Sequence, residues 1–253
     1  MARILAFANQ KGGVGKTTSA VNVAASLGAM GRRVLFVDLD PQGNGTSGVG
    51  INKNKAQPSV YEVLMDGIPV MDAIQQTAFA GLWCLPANVN LAGAEILLAS
   101  SQAREGTLKG ALAYIEDTFD YIIIDCPPSL GLLTLNALTA AQEVIVPMQC
   151  EYFALEGLSQ LLYTVDLVRQ RYNRHLKLGG VILTMYDGRL NLSLAVSAEI
   201  RRYFPDKIFR TTVPRNVRLS EAPSHGKPVL YYDPHSKGAK AYQEIAGELD
   251  EKK

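Results

Sequence analysis

Between Gln10 and Thr18 the chain reads Gln-Lys-Gly-Gly-Val-Gly-Lys-Thr-Thr, glycines interleaved with two lysines and closed by two hydroxyls. Gly12, Gly13 and Gly15 leave backbone N–H groups free to surround an anion, so the stretch Lys11, Gly12, Gly13, Val14, Gly15, Lys16, Thr17 and Thr18 can cradle a di- or triphosphate. Lys16 stands where its ammonium reaches the β- and γ-phosphates of a nucleotide, and the Thr17 hydroxyl is placed to bind Mg2+. Lys11 is an additional lysine five residues upstream. A solvated surface charge is the competing reading of that residue.

The flanking segments make the cradle credible. Arg3 to Ala8 is an apolar run of strand length, and Thr17 to Met30 has helical spacing at Ala20, Val23, Ala24 and Leu27. The loop therefore joins a strand to a helix N-terminus, whose positive dipole end favours phosphate. A strict pattern asks for glycine where this chain has Gln10.

The run Lys-Gly-Gly-Val-Gly-Lys-Thr-Thr resembles the deviant Walker A motif of the ParA/MinD group of P-loop ATPases. In that group the first lysine crosses an ATP-dependent homodimer to the partner's nucleotide, which is what the resemblance implies for Lys11. Arg33 to Asp38 is a buried-strand pattern, and the Leu39-Asp40-Pro41-Gln42-Gly43-Asn44 loop after it resembles switch I, which implies that Asp40 orients the attacking water. Tyr121 to Asp125 followed by Cys126-Pro127-Pro128 looks like Walker B and switch II; Asp125 would hold a metal-bound water, with Asp38 close by. Taken singly, each acid at a strand end could be a helix cap. The stretches Gln149 to Gly157 and Pro214 to Pro228 are similar to the chromosomal, Soj-like branch, and the likeness runs from about Ile4 to Tyr242.

The resemblance implies an ATPase using ATP and Mg2+, with adenine against the Pro214-Arg215-Asn216 loop. It further implies an ATP-dependent homodimer that binds non-specific double-stranded DNA for chromosome or plasmid partitioning, stimulated by a ParB-type centromere-binding protein. Regulation of replication initiation alongside segregation is a second role that the family suggests.

The rest of the chain must position these groups. Strand-like runs recur at Arg3–Ala8, Val34–Asp38, Leu82–Pro86, Tyr121–Asp125, Glu143–Pro147, Leu178–Thr184 and Lys207–Thr211. Helical patterns at Gln102–Glu116, Leu132–Ala140, Ala154–Arg171 and Ser193–Phe204 lie between them. The alternation predicts an α/β fold of the P-loop NTPase kind, a mostly parallel central β-sheet with helices on both faces. Ligands in such sheets bind at the C-terminal strand edge, where Asp38 and Asp125 fall.

A length of 253 residues suits one ATPase domain, 1–253, with a substantial core. Apolar content of 47% against 19% charged residues excludes disorder as the default. With no charged-then-apolar leader and no apolar run of membrane-helix length, the expectation is a cytoplasmic protein, nucleoid-associated if the DNA reading holds, with no membrane partner. Cys84, Cys126 and Cys150 read as buried free thiols, and His175, His225 and His235 have no zinc-ligand spacing.

The net charge of +1 conceals an asymmetry: Arg169 to Arg218 holds eleven Lys/Arg against three acids, a net of +8, whereas residues 1–150 are net −3. The basic segment is the candidate DNA face, with Arg189, Arg218, Arg201 and Arg202 as candidate contacts to phosphates. A solvated helix face is the plainer alternative. The C-terminal Pro234–Lys253 segment carries an apolar stripe at Tyr242, Ile245, Ala246 and Leu249 among acids, a core-packing pattern rather than an interfacial anchor. Two other functions remain open: a MinD-like membrane-cycling ATPase, disfavoured by the missing basic amphipathic tail, and a biosynthetic ligase of the dethiobiotin synthetase kind on the same scaffold.

Overall fold

The computed structural model describes residues 1–99, 104–151 and 154–251. Its first half runs β1 (Arg3–Phe7), α1 (Lys16–Ala29), β2 (Val34–Asp38), α2 (Asn44–Gly48), α3 (Val60–Met65), α4 (Val70–Ala73), β3 (Gln75–Gln76), β4 (Leu82–Leu85), α5 (Leu91–Ala99) and α6 (Thr107–Ala113). The second half runs β5 (Tyr121–Asp125), α7 (Leu132–Ala140), β6 (Glu143–Gln149), α8 (Ala154–Arg171), β7 (Lys177–Thr184), α9 (Asn191–Tyr203), α10 (Val217–Glu221), a 3-10 turn (Ala222–His225), α11 (Val229–Tyr232) and α12 (Lys237–Glu251).

The strands form one sheet in the order β3-β4-β2-β5-β1-β6-β7. Every pairing is parallel except β3 with β4. Central strands buried on both faces must be apolar throughout, and β5 reads Tyr-Ile-Ile-Ile-Asp with all five residues buried. Each of its isoleucines contributes about 2 kcal/mol through removal from water. Alternate residues then sort to two cores. Ile4, Ala6, Ile122 and Ile124 face the side covered by α3 and α5 to α8, while Leu5, Phe7, Tyr121 and Ile123 face α1 and α12. Tyr242 of α12 is buried, and its hydroxyl lies 3.0 Å from Ser19 Oγ in α1. The C-terminal stripe is thus core packing.

Two expectations differ from the structure, and one strand was not expected. Lys207–Thr211 is not a strand: Ile208 makes an isolated parallel bridge to Val181, and Phe209 N–H donates to Val181 O at 3.0 Å, but no ladder forms, and the chain next bonds this edge at Val213, whose N–H donates to Leu183 O at 2.9 Å. Instead the sheet gains β3, two glutamines too short to show a period-2 pattern. The helix expected over Gln102–Glu116 is confined to Thr107–Ala113, with the C-cap at Tyr114; Gln102 and Ala103 lie outside the described residues. Of the Gln149 to Gly157 stretch, Tyr152 and Phe153 also lie outside them.

Candidate nucleotide site

The loop after β1 delivers the cradle to the C-terminal edge of the sheet. Gly13 and Gly15 adopt φ of +75° and +84°, a region that strains any residue with a Cβ, and Gly15 is the N-cap of α1. The loop is anchored from below by Asn9, buried, whose amide donates to Pro147 O at 2.9 Å while its side-chain oxygen accepts from Lys11 N–H at 3.0 Å. It is anchored from the side by Thr184, whose hydroxyl donates to Val14 O at 2.7 Å. Neither Asn9 nor Thr184 was legible from sequence, because each acts through a long-range bond to backbone.

Lys16 is only 6% exposed, and its ammonium donates to Lys11 O at 3.1 Å across the loop. Burial lowers its pKa, against the attraction of Asp125 and Asp40. Asp38 and Asp125 are register partners at the ends of β2 and β5, and Phe7, the last residue of β1, is paired with Asp125 on the other side. The central strand therefore places Asp125 between Asp38 and the cradle.

The two carboxylates differ in how they are satisfied. Asp38 is fully buried and accepts from Thr46 N–H at 2.7 Å, Thr46 Oγ1 at 2.8 Å and Asp40 N–H at 3.1 Å. Burial raises its pKa to about 6, partly offset by those donors. Asp125 is equally buried, yet neither of its oxygens has a hydrogen-bond partner among the described residues. Burial, and then the neighbouring Asp38, push its pKa well up; Thr17 and Lys16 pull against that rise. A buried carboxylate with unused acceptor positions beside a threonine hydroxyl and a lysine fits Mg2+ with its waters, so Thr17, Asp38 and Asp125 are the residues that could hold that ion. Asp40, half-buried, accepts from Gln42 N–H at 2.9 Å in a local turn.

A cleft of about 360 Å³ opens between Gly15 and Thr18 of the cradle and Pro214, Arg215 and Asn216, with Met185 and Tyr242 also lining it. The expected phosphate and adenine elements thus share one cavity. Asn216 is the N-cap of α10 and accepts from Arg218 N–H at 2.9 Å, which shapes that wall. Lys11, at the start of the cradle, is exposed and ion-paired with Glu151 of the same chain.

The four candidate DNA contacts are not brought together. Arg189 and Arg218 follow the C-terminal edge of the sheet and are 89% and 47% exposed; Arg189 pairs with Asp187 at 2.7 Å, and Arg218 with Glu221 at 2.8 Å and Asp233 at 3.2 Å. Arg201 and Arg202, also exposed, occupy the last turn of α9. A helix of 13 residues puts them roughly 20 Å from Arg189, toward the opposite sheet edge. Arg189 and the Arg201/Arg202 pair thus lie at the two ends of α9.

A family model described as AAA domain matches residues 2–178. The chain is 56% identical over 249 residues to the sporulation initiation inhibitor protein Soj of Bacillus subtilis, covering 98% of each. It is 52% identical over 247 residues to the chromosome partitioning protein ParA of Myxococcus xanthus, covering 98% of this chain and 87% of that protein. The chain belongs to the Soj/ParA family of P-loop ATPases. Among solved structures, cobyrinic acid a,c-diamide synthase from Mycobacterium smegmatis with bound ADP and magnesium is similar to this Soj/ParA chain with a TM-score of 0.86 and 44% identity, over 98% of this chain and 94% of that one. No helix among the described residues is long and apolar enough to cross a membrane.

Proposed function

We propose that this chain is an ATP-driven switch for partitioning DNA. ATP and Mg2+ bind in the cleft, two copies associate as a homodimer, and the dimer holds non-specific double-stranded DNA. A ParB-type centromere-binding protein stimulates hydrolysis to ADP and phosphate, which returns the protein to its DNA-free form. On this reading the protein works on the nucleoid in the cytoplasm, and a role in regulating replication initiation belongs to the same switch.

The observation that carries the reading is the convergence on one glycine cradle of a nearly buried Lys16 and a buried Asp125 whose oxygens have no hydrogen-bond partner among the described residues. Backbone N–H groups and Lys16 bind the phosphates and meet the charge that develops in the transition state. Bound Mg2+ supplies charge neutralisation on the phosphate oxygens. Asp40 orients the attacking water, and Lys11 of the partner subunit adds a second positive charge after leaving Glu151. Arg189 and Arg218 contact DNA phosphates, which carry little sequence information.

A membrane-cycling alternative gains nothing from α12, whose apolar stripe is buried against α1. A small-molecule ligase is supported by the likeness to cobyrinic acid a,c-diamide synthase from Mycobacterium smegmatis. Binding to random duplex DNA with ATP or ADP decides between the two remaining functions. The switch requires binding with ATP alone, together with ATP turnover in the absence of any metabolite; equal binding with ADP, or turnover only with an added carboxylic acid, would overturn it.

A further inference from the structure

A large apolar hollow lies away from the nucleotide cleft. Helix α3 packs against α4 and α6. Between them is a cleft of about 580 Å³, lined by Val63, Ile68, Val70, Met71, Ala111 and Tyr114 among others. That volume is within the range of pockets that hold ligands, about 300–1,000 Å³. Its floor is finished core, since Val63 and Val70 are 3% and 4% exposed. Its walls are not: Met71 is 54% exposed and Tyr114 90%. Thr107, Ala111 and Tyr114 follow one another at i, i+4 and i+7 along α6 and its C-cap, the spacing of a helix face that ordinarily meets another helix.

Charge specifies what fits there. From Ala56 to Ala103 the chain has no lysine or arginine, yet it has four acids, Glu62, Asp66, Asp72 and Glu95. Glu62 is engaged in the capping box of α3 with Ser59, and Glu95 accepts from Leu133 N–H at the start of α7. Asp66 and Asp72 are exposed, and each adjoins a residue lining the cleft. Neither has an ion-pair partner among the described residues, whereas Asp117 nearby in sequence already meets the amino terminus. An apolar trough rimmed by unpaired negative charge repels nucleic acid and anionic lipid, and attracts cations steered to the same place as large apolar side chains.

We propose that the α3–α4–α6 cleft is a docking site for a basic amphipathic helix of a partner protein, its apolar residues entering between Met71 and Tyr114 and its Lys/Arg residues meeting Asp66 and Asp72. Aromatic and methionine anchors suit the adaptable apolar part of such a contact, and the carboxylates set its orientation. The site is separate from the nucleotide cleft, so docking needs no ATP.

The test uses the full chain without nucleotide and a short amphipathic Leu/Lys peptide as probe, with Leu/Glu and Ser/Lys peptides as controls. Binding is followed by fluorescence anisotropy and located by amide shift changes in NMR spectra. The Leu/Lys peptide should bind more tightly than either control, with shifts concentrated at residues 63–71 and 107–114. The Asp66→Lys/Asp72→Lys variant, altered at two exposed positions that do not threaten folding, should bind about tenfold more weakly. Ala111→Gln should do likewise by filling the trough. Equal binding of the Leu/Glu peptide, unchanged affinity in the charge-reversed variant, or shifts elsewhere on the molecule would overturn the proposal. So would concentration-dependent self-association abolished by Ala111→Gln, which would make a second copy of this chain the occupant.

Discussion

Asp38 and Thr46 are joined twice, the carboxylate oxygen Oδ2 accepting from the threonine N–H at 2.7 Å and from its hydroxyl at 2.8 Å. The same hydroxyl accepts from Ala87 N–H at 2.9 Å, so one buried side chain ties the end of β2 to α2 and to the loop after β4. The switch I loop containing Asp40 lies inside that tie. Thr46→Val should cost about 2 kcal/mol in urea denaturation, because Ala87 N–H and one acceptor position of Asp38 lose their partner inside the protein. Thr46→Ser should recover most of the loss. An unchanged midpoint in the valine variant would show that the loop is held by other contacts.

Asp40 contributes one local bond to Gln42 N–H, so its removal should leave the fold intact. Asp40→Ala should bind ATP normally and lower turnover by about 100-fold or more, since water positioning is what is lost. Dimer should accumulate in the presence of ATP on size-exclusion chromatography. Turnover at the wild-type rate would refute the assignment.

Lys11 is engaged with Glu151 at the surface, and on the proposed reading Lys16 and Thr17 hold nucleotide without it. Lys11→Ala should therefore keep ATP affinity within a few-fold but lose ATP-driven dimerisation and the activity that depends on it. Because the pair is exposed, its loss should change stability by no more than about 1 kcal/mol. A variant that dimerises and hydrolyses ATP like wild type would return Lys11 to a solvated surface charge.

The separation of Arg189 and Arg218 from Arg201 and Arg202 makes the DNA face testable in halves. Each arginine that neutralises a phosphate contributes about −0.9 to the slope of log K against log salt. Arg189→Ala and Arg218→Ala should each flatten that slope, whereas the Arg201→Ala/Arg202→Ala pair, at the other end of α9, should flatten it only if DNA spans both edges. Wild-type slope and affinity in the Arg189→Ala/Arg218→Ala double variant would exclude the nucleotide-edge patch.

Glu143 gives a stability prediction independent of the nucleotide site. Its side chain is 9% exposed and receives Arg3 at 2.7 Å and Lys177 at 3.1 Å. Burial raises its pKa, but the hydrogen bonds and charges of Arg3 and Lys177 outweigh burial and hold the carboxyl below its usual value. A depressed carboxylate binds protons less readily folded than unfolded. Its stabilisation is therefore present above the unfolded pKa, about 4.3, and is lost as pH falls through the lower folded value. Glu143→Gln should be destabilised by about 2 kcal/mol at pH 7, with the gap to wild type closing in acid. A gap that stays constant across that range would assign the loss to packing.

Much of this was legible from the chain alone, for local reasons. The cradle is contiguous, so the left-handed Gly13 and Gly15 and the buried Lys16 beside them were expected from spacing, and Asp38 and Asp125 end apolar runs of strand length. The alternation of runs and helical patterns likewise sufficed for the sheet with helices on both faces. Tertiary structure alone decided what depends on distant segments meeting. Strand order set Asp125 between Asp38 and the cradle and left its oxygens without hydrogen-bond partners among the described residues. Asn9, Thr46 and Thr184 act through bonds to residues 138, 41 and 170 positions away, which no local pattern encodes. The length of α9 set Arg201 and Arg202 apart from Arg189. Lys207–Thr211 has strand composition, but only its neighbours decide whether a ladder forms, and here one bridge to Val181 was all that packing allowed.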